Sequence, residues 1–437
     1  MRRPPWLAVV VLGAAIGAVF AAVSTYDFVE HLDRQVHNNL HCSFIPGVSH
    51  AGESGCQVAL MSPYSSVWRG HVWGGVPISL AAFAVFAFLA FFALDLAVTR
   101  RKHDRRATAL LALATALPAV TSIVMLIISL TQLGTTCKLC VCIYVASALC
   151  VVGGVMAWRA ARRSARAGGP GGVMATATSG AQLVAVEPAA AASNRHLAAM
   201  IGIGVGFVVV PIALYLAMAP DHAKYIGSCE ALPRPDDPYG IEVPIGRATG
   251  GAPTLEVLDP LCPACRAFEQ RLVASGFAAQ LDRKAVMFPL DNTCNWMVSE
   301  ATHPGACVVS EAVLCAGDRA PDVIAWAFAE QDRIKDAARA DPAAAAKLVA
   351  QRFPELRACV GSAEAKSRLN KSLRWIVSNN LRVLTPQVYI DGVKLCDEDV
   401  DLGLEYTLRH MLERHASHTL AAPAPPAAPA SKKAAGK

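Results

Sequence analysis

The sequence is poor in charge and poor in the patterns that hold metals. Only 17% of its 437 residues are Asp, Glu, Lys or Arg, while 54% are apolar. The mean hydropathy of +0.37 is too high for an ordinary soluble protein. His31, His37, His41, His50, His71 and His303 show no HExxH or HxH spacing, and no His- or Met-rich outer motif is present, which argues against a metal handler. The net charge of +6 is explained by a few Arg-rich connections, so no nucleic-acid footprint is left. No internal repeat is found. What the chain does have is long apolar runs and 14 cysteines.

Five runs, Leu7–Val23, Val76–Val98, Ala107–Leu130, Leu139–Ala157 and Leu197–Ala219, are nearly free of charge. Each is close to the ~20 residues that cross a hydrocarbon core. The first is short enough to be a signal peptide, but with four spans following it reads as an uncleaved helix. Arg2 and Arg3 precede the first span. Arg100, Arg101, Lys102, Arg105 and Arg106 join the second to the third, and Arg159, Arg162, Arg163, Arg166 and Arg195 join the fourth to the fifth. The long loop 24–75 holds only Arg34 and Arg69. Positive charge collects on the cytoplasmic side, so the N-terminus and both Arg-rich connections face the cytosol. Loop 24–75, the TTC junction and everything after Ala219 then face outward, where disulfides persist.

The expected organisation is a four-helix membrane unit (1–160), an Ala/Gly-rich cytoplasmic linker (161–196), a fifth span (197–219), a connector (220–251), an α/β domain (252–421) and a low-complexity tail (422–437). Within the soluble part, 254–259, 285–290, 387–390 and 393–395 read as strands. The stretches 265–272, 298–380 and 399–413 read as helical.

The cysteines carry the chemistry. Cys262-Pro-Ala-Cys265 follows a strand and opens a helix. A helix N-terminus stabilises a thiolate, so an exposed Cys262 attacks first and Cys265 resolves. No second CxxC or CxxH in this domain completes a zinc site. Cys137 and Cys140 also stand three apart, on one face of a helix entering the fourth span, with Tyr144 four residues on. A thiolate and a phenol at the mouth of an apolar bundle suit a quinone. Cys142 and Cys150 read as packing residues. Cys42 and Cys56 flank a Gly-, Ser- and Pro-containing stretch, and serve either as a mobile dithiol or as a plain staple. Cys229, Cys294, Cys307, Cys315, Cys359 and Cys396 are left for structural bridges. Cys294–Cys307 is the preferred pair and Cys315–Cys359 the second. Asp259, just before the CPAC turn, reads as an exposed loop carboxylate, with a proton-relay role as the alternative.

The strand–CPAC–helix unit, with Thr385-Pro386 before a later strand, resembles the thioredoxin superfamily, DsbA-type thiol oxidases above all. That resemblance implies a cis Pro386 facing the active pair. The loop cysteines, the SPYS segment and CxxCxxxY entering the fourth span resemble the vitamin K epoxide reductase family in its bacterial fusion form. The implied fold is a membrane all-α four-helix bundle plus a fifth transmembrane helix, followed by an α/β thioredoxin-like domain with a helical insertion. The resemblance further implies that Cys137 and Cys140 reduce a quinone (ubiquinone or menaquinone), that Cys42 and Cys56 shuttle electrons, and that Ser62 and Tyr144 are polar residues of the pocket. It implies a bacterial inner-membrane enzyme with periplasmic cysteines, reduced secreted proteins as substrates and the membrane quinone pool as partner. Two rivals stand beside it. A reductase running the other way needs a cysteine reachable from the cytosol, and neither Arg-rich connection holds one. A thiolate metal sensor would bind Cu(I) or Zn(II) when purified without oxygen.

Overall fold

A computed structural model describes residues 6–32, 55–99, 101–134, 136–167, 194–219, 222–396 and 402–421. The chain divides into two compact units, Met1–Pro220 and Asp221–Lys437.

The first unit holds α1 (Trp6–Leu32), α2 (Gly55–Met61), a hairpin of β1 (Ser66–Val67) and β2 (Val76–Pro77), and four further helices. These are α3 (Ile78–Val98), α4 (Arg105–Ile128), α5 (Lys138–Ala167) and α6 (Asn194–Met218). The five long helices are apolar enough to cross a membrane, and the chain is a multi-pass membrane protein. Leu113, Val120 and Ile127 on α4 stay exposed, as a lipid-facing surface requires. Inside, α1 packs on α3 and α5, α4 packs on α5, and α6 lies against α3. Small residues set the approach. A side chain at Gly17 would meet the Phe86 ring at 2.6 Å, and one at Gly153 would come within 2.8 Å of Val10. Asp104 caps α4 by accepting from the backbone N–H groups of Arg106 and Ala107 at 2.8 and 3.1 Å. A π-helical turn, Ser129–Leu133, closes α4, and Gly134 at φ 63° breaks the chain toward the cysteines.

Two helix ends differ from the hydropathy reading. The first span continues to Leu32 because the run after Val23, although it includes Asp27 and Glu30, still forms helix and buries Phe28 and Leu32. Loss of hydropathy ends a membrane span but not a helix. Likewise α5 runs through Arg- and Ala-rich residues to Ala167, past the boundary set at residue 160, because those residues are strong helix formers.

The second unit is built on a five-stranded sheet: β3 (Val243–Gly246), β4 (Ala252–Leu258), β5 (Leu281–Met287), β6 (Gln387–Ile390) and β7 (Val393–Lys394). Their order is β3-β5-β4-β6-β7, with only β4 and β5 parallel. The parallel pair is bridged by α7 (Pro263–Ala274), as a crossover demands. Alternation splits the sheet's side chains between two cores. Val257, Val286 and Phe288 pack with Trp375 and Ile376 near the end of the helical insert, whereas Leu258, Ala285 and Met287 cluster with Val309, Val323 and Ile334 earlier in it. The insert comprises α8 (Ala306–Ala316), α9 (Ala320–Ala329), α10 (Gln331–Ala340), α11 (Ala344–Arg352) and α12 (Ala363–Ser378). The final helix, α13 (Leu404–Ala421), starts later and runs further than the expected 399–413. The edge strand β3 is absent from the sequence reading, since VPIG carries a proline and too short an apolar run to register.

Three disulfides lie in this unit: Cys229–Cys396, Cys294–Cys307 and Cys315–Cys359.

Candidate functional site

The structure carries two dithiol sites, one in each unit. In the membrane unit, Cys137 sits at the boundary of α5, where its carbonyl accepts the first helical bond from Val141 N–H at 3.0 Å. Cys140 stands one turn on. Both are free thiols and they hydrogen-bond to each other. Cys137 is 5% exposed and packs with Phe20, Val23, Leu139 and Ala59. Cys56 on α2 is disulfide-bonded, and its sulfur lies 3.3 Å from Cys137 Sγ. That is exchange distance, because thiol–disulfide exchange begins with one sulfur against another. Cys42 lies outside the described residues.

Behind this pair opens an apolar cavity of about 330 Å³, reached by α1, α2, α3, α4 and α5. Phe86, Pro118, Met125 and Ile143 supply apolar wall, while Asp27, Ser62, Tyr144, Cys137 and Cys140 bring the polar atoms. Such a lining, mostly apolar with a few placed polar groups, is that of a small-molecule site. Ser62 is buried, and its hydroxyl donates to Ala59 O at 2.8 Å. The segment that carries Ser62 is held by Arg69, itself buried. Its Nε donates to Ser66 Oγ at 2.6 Å and its Nη2 to Ser65 Oγ at 2.7 Å and to Ser62 O. Cys142 is half-buried, and Cys150 is buried against α1, with Val10 O at 3.8 Å.

In the second unit Cys262 caps α7, with Pro263 at its first position. The helix presents unpaired N–H groups there. Cys262 is buried, not exposed as expected, because it packs in one core cluster with Leu258 and Leu261, and Gln331 Nε2 reaches Cys262 O at 2.9 Å. Its thiol donates to Thr385 O at 3.5 Å. The hydrogen bond from Cys265, helped by Thr385 and opposed by burial, pulls Cys262 down to about 6. Burial and the neighbouring Cys262 push Cys265 well up. The Thr385–Pro386 peptide is cis. A small cavity of about 70 Å³ beside Cys265 is lined by Glu256, Glu269, Arg283 and Pro386. There Arg283 Nε donates to Glu256 Oε1 at 2.6 Å and its Nη2 pairs with Glu269. Burial holds the Glu256 carboxyl above its ordinary range against the pull of Arg283.

Residues 8–153 match the vitamin K epoxide reductase family. That match takes in Cys42, Cys56, Ser62, Cys137, Cys140 and Tyr144, and lies within the first unit. No curated protein matches the chain. Among solved structures, reduced DsbA1 from Neisseria meningitidis is 17% identical, over 44% of this chain and 100% of its own, with a TM-score of 0.29. DsbA from Xylella fastidiosa is 19% identical, over 40% of this chain and 95% of its own, with a TM-score of 0.26. The second unit's own sheet order, CPAC at a helix start and cis Pro386 make it a thioredoxin-like α/β domain with a helical insertion. The chain is thus a multi-pass membrane protein whose residues 8–153 are similar to the vitamin K epoxide reductase family.

Several functional side chains escaped the sequence. Asp259 is fully buried, not an exposed loop carboxylate, because it accepts Leu261 N–H, Leu290 N–H and His303 Nδ1 at 2.7–2.8 Å. A carboxylate closing an apolar strand and followed by Pro was the available signal. His303 had none, since its partner lies 44 positions away. Glu256 was visible as a charge between the apolar residues of TLEVLD. Arg69 is one of only two basic residues in its loop, but nothing in its spacing announced a buried hub. Among the described residues no group of three or more metal-ligating side chains forms.

Proposed function

We propose that the protein is a thiol:quinone oxidoreductase that forms disulfide bonds in secreted proteins. The observation carrying this reading is the disulfide-bonded Cys56 sulfur 3.3 Å from Cys137, at the mouth of an apolar cavity that Cys140 and Tyr144 also line. Substrate dithiols pass two electrons to Cys262–Cys265, these reduce Cys42–Cys56, and the loop dithiol reduces Cys137–Cys140. In each step one thiolate forms a mixed disulfide, the partner thiolate leaves, and the resolving thiol closes the donor's disulfide. Cys56 is the loop sulfur that faces the membrane pair, which leaves Cys42 for the soluble domain.

A quinone, ubiquinone or menaquinone, would fit the cavity's chemistry: Phe86, Met125 and Ile143 would hold it by apolar contact, and Tyr144 and the Ser62 segment would offer polar groups to its carbonyls. It supplies a lipid-soluble acceptor for two electrons. The protein's part is to hold Cys140 against that wall, keep water out, and present Cys137 to Cys56. About 30 mV between successive couples is worth ~1.4 kcal/mol, so small differences in environment set the direction. The Arg-rich connections support a reading in which they lie on the cytosolic face of a bacterial inner membrane and every reactive pair on the periplasmic side, where reduced secreted proteins arrive. The absence of cysteine from those connections leaves a reversed, cytosol-fed flow without an entry.

Replacing Cys140 by Ser tests the reading. Quinone reduction by added dithiol should vanish, while Cys262 keeps its thiol exchange. Quinone reduction that survived the change would remove Cys140 from the site.

A further inference from the structure

His303 and Asp259 form a hydrogen-bonded pair that the exchange steps do not use, yet both are near enough for their charges to act on, or feel, the attacking sulfur. Asp259 ends the β4 run three residues before Cys262 and is fully buried. Its Oδ1 accepts Leu261 N–H at 2.7 Å, and its Oδ2 accepts Leu290 N–H at 2.8 Å and meets His303 Nδ1 at 2.7 Å. A buried carboxylate needs a partner charge or gives up its own. The ionisable groups that act on the pair are Cys262 and Cys265 at the start of α7 and Lys335 on α10, with Asp291 on the same loop as His303. Lys335 is bound to Asp332 at 3.2 Å, and Asp291 accepts from Thr293 and Gly305. His303 is therefore the cation that Asp259 has.

The loop brings it there by construction. His303 N–H donates to Leu290 O at 3.0 Å, Ala306 N–H donates to His303 O at 3.0 Å, and Cys294–Cys307 closes the loop across its base. Burial opposes a charge on His303, but the Asp259 hydrogen bond and charge outweigh it, with Cys262 acting the same way, and hold the imidazole above its ordinary value.

We infer that His303 is a positioning residue for the Cys262 thiol: as an imidazolium on Asp259 it cancels a negative charge beside the attacking sulfur, favouring the thiolate and making the Cys262–Cys265 disulfide a stronger oxidant. This rests on the proposed role of Cys262 as the attacking thiol. Stabilising the thiolate stabilises the reduced dithiol, and that raises the couple's potential.

The test is the pH dependence of Cys262 alkylation in the full-length chain in detergent, read peptide by peptide by mass spectrometry. Wild type should show a midpoint near 6. His303→Asn keeps an N–H donor for Asp259 but loses the charge, so the midpoint should rise by about one pH unit or more, with roughly tenfold less thiolate at pH 5. The double variant Asp259→Asn/His303→Asn is neutral again and should return the midpoint toward wild type, a rescue that a purely structural histidine would not give. A wild-type midpoint near that of an ordinary cysteine, about 8.5, would remove the role proposed for Cys262 itself. A midpoint near 6 that neither variant moves would overturn only the role of His303. Wild type supplies a check without substitution: deuterium exchange at the His303 ring carbon should report a higher pKa in the reduced than in the oxidised protein. Equal values in the two states would also overturn the inference.

Discussion

The two CxxC pairs are alike in everything local and unlike in everything around them. Cys137 and Cys262 each stand at a helix N-terminus, each is 5% exposed, and each has its partner one turn on. Around Cys137 the neighbours are Phe20, Val23 and Leu139, a third sulfur from Cys56, and an apolar cavity. Around Cys262 they are Thr385 O, the Gln331 amide, and two buried charged groups, Asp259–His303 and Glu256–Arg283–Glu269. The helix start supplies a reactive thiol in both places. The wall decides the partner: an apolar one admits a lipid-soluble acceptor, while a cis-proline turn with polar backbone admits a peptide.

The largest way to break this comparison is to remove the resolving thiol of the membrane pair. In Cys140→Ser the lone Cys137 thiolate can attack the loop disulfide at Cys56 and release the Cys42 thiolate, but no Cys137–Cys140 disulfide can then form, so a Cys56–Cys137 mixed disulfide should become detectable in a non-reducing peptide map. In Cys137→Ser the corresponding Cys56–Cys140 species should stay at background, because it is Cys137 whose sulfur lies 3.3 Å from Cys56. Equal trapping by both variants would mean that the wall does not orient the pair.

The next contrast concerns charge. Arg283 is buried with two carboxylates on it, and the thioredoxin-like unit depends on all three. Arg283→Met strips the cation from Glu256, which is itself fully enclosed, and breaking a buried pair in this way costs about 3–5 kcal/mol. For a unit of this size that lowers Tm on the order of 10 °C. Thermal proteolysis followed through peptides of residues 252–396 should show the shift, while peptides of the membrane helices melt as before. An unchanged Tm would show that the triad is solvated and not part of the core.

How much of this was legible depended on whether the signal was local. The five spans, the CPAC helix start and the strand at Gln387–Ile390 all follow from apolar period, turn residues and helix-start chemistry, which act over a few positions. Cys137, Cys140 and Tyr144 share a helix face by spacing alone, so their convergence on one cavity could be read directly. Asp259–His303 and Glu256–Arg283 could not. Each joins residues tens of positions apart, and the same letters on a solvated loop would look no different. The exposure assigned to Cys262 failed for a related reason: helix-start chemistry predicts a reactive thiol but says nothing about Leu261 and Gln331 packing around it. Cys294–Cys307 spans a short loop and was readable, whereas Cys229–Cys396 joins residues 167 apart and gave no local sign.

The smallest effects sharpen the comparison most, because they ask whether a thiol in the membrane unit matters merely by being there. Cys142 lies two residues past Cys140, off the face that carries Cys137, Cys140 and Tyr144. Cys150 lies ten residues past Cys140, about 15 Å further along the helix, packed against α1 where a side chain at Gly13 would meet its sulfur at 3.1 Å. Neither lines the cavity. Cys142→Ala should leave quinone reduction within about twofold. Cys150→Ala should do the same while lowering stability by about 1 kcal/mol for the lost buried sulfur. The measurement is steady-state quinone reduction alongside a thermal melt of each variant. A tenfold loss of turnover in either, with the fold intact, would mean that electrons reach the acceptor by a path that spacing and cavity lining do not mark, and the likeness between the two CxxC pairs would lose its meaning.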